Sequence, residues 1–366
     1  LPAYPPDIPF FRTVLRLFLI LTHASSASAH EMSVKCARLF IEVNHMNIVL
    51  EEISINDIEG FAIGQAEDEI NATGVTVILA RDGACTGLDI RGGGPASRES
   101  GLLNPLAAND AVHAVVLSGG SAFGLDSASG VMQYLEEQKI GFPTAYGPVP
   151  IVCASCLFDL GVANNSVRPD AAMGYQACLN APNFTPGNHG AGTGATVGKA
   201  GGPEHMMKSG IGSCAVQLGD LKVGAVVAVN AMGDIFDPST GTKLAGMLDE
   251  DGTMNASCEE ALYELTLNSS LNEHTNTTIG AILTNASFNK TELTKIAGMG
   301  HDGYARAINP VHTMFDGDSL YAMSSGSVKA DLNVVGTLAA RVTAAAIDNA
   351  VLSARSAYGI KSAYDL

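Results

Sequence analysis

The spacing of apolar positions divides the chain, from about Ile53 onward, into strand-like and helix-like blocks. Residues 74–80 and 111–117 are valine-rich runs bounded by small polar residues, and both predict strands. A second strand-rich block covers 214–218 and 223–230, with a turn at Asp237-Pro238-Ser239-Thr240-Gly241. Another strand starts at Thr277, and a short one spans 319–324. Residues 118–126 predict the opening of a helix that carries Val131, Met132 and Leu135 on one face and ends near Lys139. Helical spacing returns over 291–308, interrupted by glycines, and over 332–354, alanine-rich and apolar on more than one side. Residues 248–275 are acidic, rich in Ser and Asn, and mostly without a strand pattern. Strands and helices therefore cluster instead of alternating. That predicts an α+β fold, a sandwich of sheets flanked by helices, over a doubly wound sheet.

The sharpest boundary is Asn276-Thr277-Thr278-Ile279-Gly280-Ala281-Ile282, where a polar segment gives way to an apolar β-type run. Two readings fit a hydroxyl at the head of a buried strand. Thr277 is the first residue of an ordinary strand, or the Asn276–Thr277 bond is cut. Cleavage would give Thr277 a free α-amine beside its own hydroxyl, placing base and nucleophile on one residue. By itself the segment asks for nothing beyond the strand.

With 366 residues, 46% hydrophobic content and 40 glycines, the chain has ample material for a buried core with many tight turns. A net charge of −17 argues against nucleic acid or an anionic membrane as partner, and the lack of tryptophan argues against base-stacking platforms. Beyond the N-terminal region, no stretch reads as long and apolar enough to cross a membrane. Seven unevenly spaced cysteines do not make a disulfide framework. Cys153 and Cys156 form one C-x-x-C in an apolar context that reads as buried packing, with no second pair to complete a zinc site. Residues 1–50 read as an N-terminal extension. Arg12 and Arg16 accompany a short apolar run, and Ala27-Ser28-Ala29 resembles a cleavage site, so 1–29 is either a secretory signal or an incidental extension. Residues 51–366 then form a single domain. N-x-S/T sequons, one of them at Asn276, are read as chance occurrences.

Candidate chemistry is sparse when taken singly. Ser118-Gly119-Gly120-Ser121 precedes a helix but lacks the lysine of a P-loop, and close strand–helix packing accounts for its glycines. Gly190-Ala191-Gly192-Thr193-Gly194 shares that ambiguity. Lys199 stands among few cations, by default on the surface; at a site it would stabilise an anion or depress the pKa of an amine. Asp316-Gly317-Asp318 is first a turn signal, although two close carboxylates can hold an ammonium or tune a base. H-E-x-x-H and G-x-S-x-G are both missing from the sequence, so a zinc hydrolase or an α/β-hydrolase is unsupported. No metal or cofactor is expected.

The joint order of these motifs carries more. From about Ile53 to the C-terminus the chain resembles the DmpA-like aminopeptidase family, which includes β-peptidyl aminopeptidases and nylon-oligomer endohydrolases. The resemblance rests on Asp89-Ile90-Arg91-Gly92-Gly93 with Arg98-Glu99, Leu117 to Leu125, Val149-Pro150-Ile151-Val152 with Phe158-Asp159, and Gly190 to Gly194. It continues through Val229-Asn230, Asn276-Thr277-Thr278-Ile279 and Pro310-Val311-His312-Thr313 with Asp316-Gly317-Asp318. The last two motifs look closest to the nylon-oligomer branch, since the aminopeptidase branch typically begins its nucleophile strand with serine.

That resemblance implies an N-terminal-nucleophile-hydrolase-like αββα sandwich. It implies autocleavage between Asn276 and Thr277 into 1–276 and 277–366, fragments that stay associated, and usually a tetramer. Thr277 would attack a peptide or linear oligoamide. Lys199 would favour its neutral amine, Asn230 would donate to the oxyanion, and Asp316 and Asp318 would orient the threonine. A cytoplasmic location is implied, or a secreted or periplasmic one if 1–29 is a signal. In one departure, Phe158 stands where the family's site has a tyrosine, and phenylalanine cannot donate a hydrogen bond. An acyltransferase of the ornithine acetyltransferase type and an unprocessed, inactive homologue are the alternatives.

Overall fold

A computed structural model describes residues 49–268 and 276–366; apart from its last two positions, the expected extension over 1–50, with its possible leader at 1–29, lies outside them. Among the described residues, ten strands form one hydrogen-bonded sheet: β1 (Glu51–Ile53), β2 (Ala62–Asp68), β3 (Thr73–Ile90), β4 (Ala96–Arg98), β5 (Ala111–Ser118), β6 (Val152–Cys156), β7 (Ile211–Leu218), β8 (Leu221–Asn230), β9 (Thr277–Ala286) and β10 (Ser319–Val328). Their order is β1-β7-β8-β9-β10-β3-β5-β6-β4, with β2 paired to β3. Five α-helices among the same residues accompany them: α1 (Ser127–Glu137), α2 (Ala171–Leu179), α3 (Cys258–Asn268), α4 (Lys290–Ala307) and α5 (Leu332–Ser353).

The long strand β3 turns this path into two layers. Its first half pairs with β2 and β5 and its second half with β10, with a register irregularity between Leu79 and Ala84. Ile63, Ile78, Val115 and Leu117 from one end of the path then cluster with Val226, Ala228, Ile279, Ala281, Leu283 and Met323 from the other. Side chains alternate between faces along a strand, so the intervening residues point outward. On β8 these are Val223, Ala225, Val227 and Val229, which meet α4 and α5. Val75, Val77 and Val116 meet α1 and α2 on the other side. The result is the sandwich of sheets flanked by helices that the clustering of elements predicts, in the helix–sheet–sheet–helix order that the resemblance implies.

Several local expectations change. Residues 121–126 form a 3-10 turn and α1 begins only at Ser127. The chain there doubles back so tightly that a Cβ on Gly124 would lie 1.9 Å from the Gly119 carbonyl oxygen. Helix α3 lies within the segment read as acidic and mostly without a strand pattern, for which no helix was expected; Cys258 packs there with Ala200 and Met232. Helix α4 runs through its glycines without interruption; a Cβ on Gly303 would lie 2.5 Å from the Ala340 carbonyl oxygen of α5, so the glycine permits helix contact. Helix α5 does meet the length and composition of a membrane span, contrary to the sequence reading, but most of it is buried against the sheet and α4.

The fully buried Lys208 ties the glycine-rich loop to the core. Its Nζ donates to the carbonyls of Gly192 (3.1 Å), Ala195 (3.0 Å) and Ser209. Burial pushes its pKa down to about 7. Replacing it by methionine removes three donors and strands their carbonyls, so Lys208→Met is expected to lower the unfolding free energy by roughly 2–4 kcal/mol, measured by urea denaturation.

Candidate active site

Strand β9 leads the site because its first residue is also the end of a ladder. Thr277 pairs antiparallel with Asn230, the last residue of β8, and the ladder runs without slippage from there to Thr284 opposite Val223. Both side chains are buried. On the other flank Asn276 bridges to Asp316, its N–H donating to the Phe315 carbonyl at 2.9 Å. The loop from His312 to Asp318 is thereby stitched to the residue before the strand.

Asn230 is the hub on one side. Its Oδ1 accepts from Lys199 Nζ at 2.7 Å and from the Thr196 N–H at 3.1 Å, while its Nδ2 donates to the Phe158 carbonyl at 2.8 Å. Two donors on one side of the amide and an acceptor on the other fix its orientation. An amide nitrogen carries two protons, so one remains for a further acceptor. Phe158 thus enters the site through its main chain, and the missing tyrosine hydroxyl does not break that link.

Lys199 is buried, not superficial, and also donates to the Asn230 carbonyl at 3.0 Å. Desolvation lowers its pKa to about 7, opposed by the charges of Asp316 and Asp159. Asp316 moves the other way, up to about 6, through burial and the neighbouring charge of Asp318. Its Oδ2 accepts from the Thr313 N–H (2.8 Å) and hydroxyl (2.6 Å), leaving Oδ1 without a partner among the described residues. Asp318 is more fully engaged. Its Oδ1 accepts the Thr278 N–H at 2.7 Å, and its Oδ2 takes the His312 N–H at 3.2 Å and faces Nδ1 at 2.8 Å.

The junction itself is crowded. The Thr277 hydroxyl donates to the Asn276 carbonyl oxygen, which also accepts the Gly317 N–H at 2.9 Å. A Cβ on Gly317 would stand 2.7 Å from Thr277 Oγ1. The glycine of Asp-Gly-Asp is therefore required by the position of Thr277 as well as by a turn, a constraint the motif alone did not disclose. All five expected catalytic positions (Thr277, Lys199, Asn230, Asp316 and Asp318) fall in this one region.

Asp159 and His312 have places here that sequence reasoning assigned no role. The Asp159 carboxylate accepts the Thr73 hydroxyl and the Gly120 N–H, both at 2.7 Å, and a Cβ on Gly119 would lie 2.1 Å from it. That close approach accounts for Gly119 in the Ser-Gly-Gly-Ser loop. Among the described residues, no group of three His, Cys, Asp or Glu side chains is placed to hold a metal ion.

The model of peptidase family S58 matches residues 54–364. The chain belongs to that family. It is 37% identical over 341 residues to an uncharacterized aminopeptidase of Mycobacterium leprae, covering 84% of this chain and 92% of the relative. It is 33% identical over 313 residues to the 6-aminohexanoate-oligomer endohydrolase of Agromyces sp. (strain KY5R), covering 81% and 84%. Among solved structures it is similar to a β-aminopeptidase of Burkholderia sp., with a TM-score of 0.60 at 18% identity over 84% of this chain and 90% of that one. The L-aminopeptidase D-Ala-esterase/amidase of Ochrobactrum anthropi, described as a variant of the Ntn-hydrolase fold, gives a TM-score of 0.63 at 15% identity over the same shares. The fold is of that type, and the family and its relatives make the chain a hydrolase of peptide or amide bonds.

The two buried charges give the site a pH signature. As pH falls through about 6, Asp316 takes up a proton and no longer attracts the Lys199 ammonium. The rate of amide hydrolysis is expected to fall on that acid limb. Asp316→Asn should flatten the limb and lower the rate roughly 100-fold, read from a pH series of kcat/KM.

Proposed function

We propose that the chain cuts itself between Asn276 and Thr277 and then uses Thr277 as the nucleophile of an amide hydrolase acting on short peptides or linear oligoamides. One observation carries this reading: the Thr277 hydroxyl lies against a carbonyl that a backbone N–H already polarises, beside a buried lysine and a carboxylate with a free oxygen. In the first step Oγ attacks the Asn276 carbonyl carbon. The C–N bond breaks, the nitrogen takes a proton to become the α-amine of Thr277, and an ester joins the pieces. Water hydrolyses that ester and leaves a carboxylate on Asn276.

In the processed enzyme the α-amine, with an ordinary pKa of about 8, accepts the hydroxyl proton as Oγ attacks a substrate amide. In its ammonium form the nearby Lys199 lowers that pKa and favours the neutral amine. The second N–H of Asn230 meets the developing oxyanion, which is where a fixed donor contributes most. The proton passes to the leaving amine, and water releases the acyl group from Thr277 by the reverse path. The substrate class is argued from the relatives, an aminopeptidase and a 6-aminohexanoate-oligomer endohydrolase.

Denaturing electrophoresis with intact-mass measurement tests the first claim. The expected product is a C-terminal fragment beginning at Thr277, and Thr277→Ala should remain one chain with hydrolysis reduced at least about 1,000-fold. A wild-type enzyme that hydrolyses amides while remaining full-length would refute it. A panel of aminoacyl anilides, β-dipeptides and linear 6-aminohexanoate oligomers then assigns the substrate; the processed enzyme should hydrolyse at least one of these classes, and the Thr277→Ala protein none.

A further inference from the structure

Behind the nucleophile lies a buried polar cluster that the reaction above does not use. His312 has a left-handed backbone, with φ of 60°, unusual for a residue with a side chain. In that conformation its main-chain N–H and its Nδ1 both reach the same oxygen of Asp318, at 3.2 and 2.8 Å. Such conformations persist where the surroundings over-determine them, often at functional sites. Asp318 in turn holds the Thr278 N–H at 2.7 Å, one residue from Thr277.

The protons of this cluster can be assigned. His301 Nε2 faces the Asp89 carbonyl at 3.0 Å and must donate to it. Burial keeps the ring neutral by pushing its pKa down to about 4, so His301 Nδ1 is a bare acceptor. His312 Nδ1 faces a carboxylate and carries a proton; in the neutral ring that leaves Nε2 as the second acceptor. The two imidazoles stand edge to face with centroids 4.7 Å apart, and Tyr304 lies 5.0 Å from one and 5.9 Å from the other. Four buried atoms here make no hydrogen bond among the described residues: His301 Nδ1, His312 Nε2, and the hydroxyls of Tyr304 and Thr278. Two acceptors thus share a buried region with two donors, a set that is complementary in the Nδ1–H tautomer of His312.

We propose that His312 is a positioning residue for the nucleophile. Its Nδ1–H holds Asp318 as the carboxylate that carries the Thr278 N–H. The titratable groups facing this imidazole are Asp318 at the head of β10 and His301 and Tyr304 on α4. Asp89 and Arg91 at the end of β3 face His301, while Asp316 and Lys199 lie on the nucleophile side.

The proposal rests on the Thr277 reading, and the experiment separates the two. Asparagine presents its amide N–H near the position of Nδ1 and tolerates a left-handed backbone, so His312→Asn should restore what His312→Ala loses. In His312→Ala, kcat is expected to fall roughly 10- to 100-fold with KM little changed. His312→Asn should stay close to wild type in both. Nitrogen-15 NMR of histidine-labelled Thr277→Ala protein should show a protonated Nδ1 and a bare Nε2 for His312, independently of whether any variant turns over substrate. Wild-type kcat in His312→Ala, equal impairment of the asparagine and alanine variants, or an Nε2–H tautomer would each overturn the proposal. Activity that survives in Thr277→Ala would instead overturn the nucleophile reading.

Discussion

Everything at the site hangs on one cross-strand pair, Thr277 opposite Asn230. Strand pairing has a period of two, so a slip of one residue would turn Thr277 from its present neighbours and face every inward side chain of β9 the wrong way. The register is held by the hydrophobic pattern itself. Ile279, Ala281 and Leu283 belong to the core between the sheets and Ile282 to the core under the helices. A slip would exchange the two sets along the whole strand. The arrangement at the strand's head is therefore held by apolar packing several residues away.

The second constraint is charge kept out of water. The chain has a net charge of −17, yet two of its few lysines, Lys199 and Lys208, are buried near the same loop, with Asp159 and Asp316 for company. Burying a charge is unfavourable unless partners surround it, and each ammonium here is met by carbonyl or amide oxygens. In such a setting fields are weakly screened, so small displacements of Asp316 or Lys199 matter more than they would on the surface.

How much of this was legible depended on whether a feature leaves a local trace. The strands around Val115, Val226 and Ile279 announced themselves through valine-rich or apolar runs, and α5 through its length. Helix α3 did not, because a short helix with one well-buried contact at Cys258 looks like a polar linker in a window of sequence. The start of α1 was misplaced because Gly119 and Gly124 answer to Asp159 and to each other across a turn, contacts without a sequence period. The site was legible only as an ordered set of motifs. Neither the burial of Lys199 nor the grip of Asn230 on Phe158 through its main chain has any signature in residue type. Gly317 and His312 stood in motifs that were recognised, but their work depends on where the chain folds back, which spacing alone does not state.

Strand β9 is the middle of the molecule in a topological sense. It is hydrogen-bonded to β8 on one side and β10 on the other, buried on both faces, and β10 continues the sheet into β3. The stretch that begins at Thr277 also supplies α4 and α5, the helical layer over that sheet. A chain severed before Thr277 would consequently behave as two polypeptides sharing a single core. Neither piece has a water-compatible surface of its own, since parting them would expose the interior faces of both. The nick would be invisible to any method that keeps the fold intact, and the smaller piece made alone would be an aggregation-prone fragment rather than a subunit.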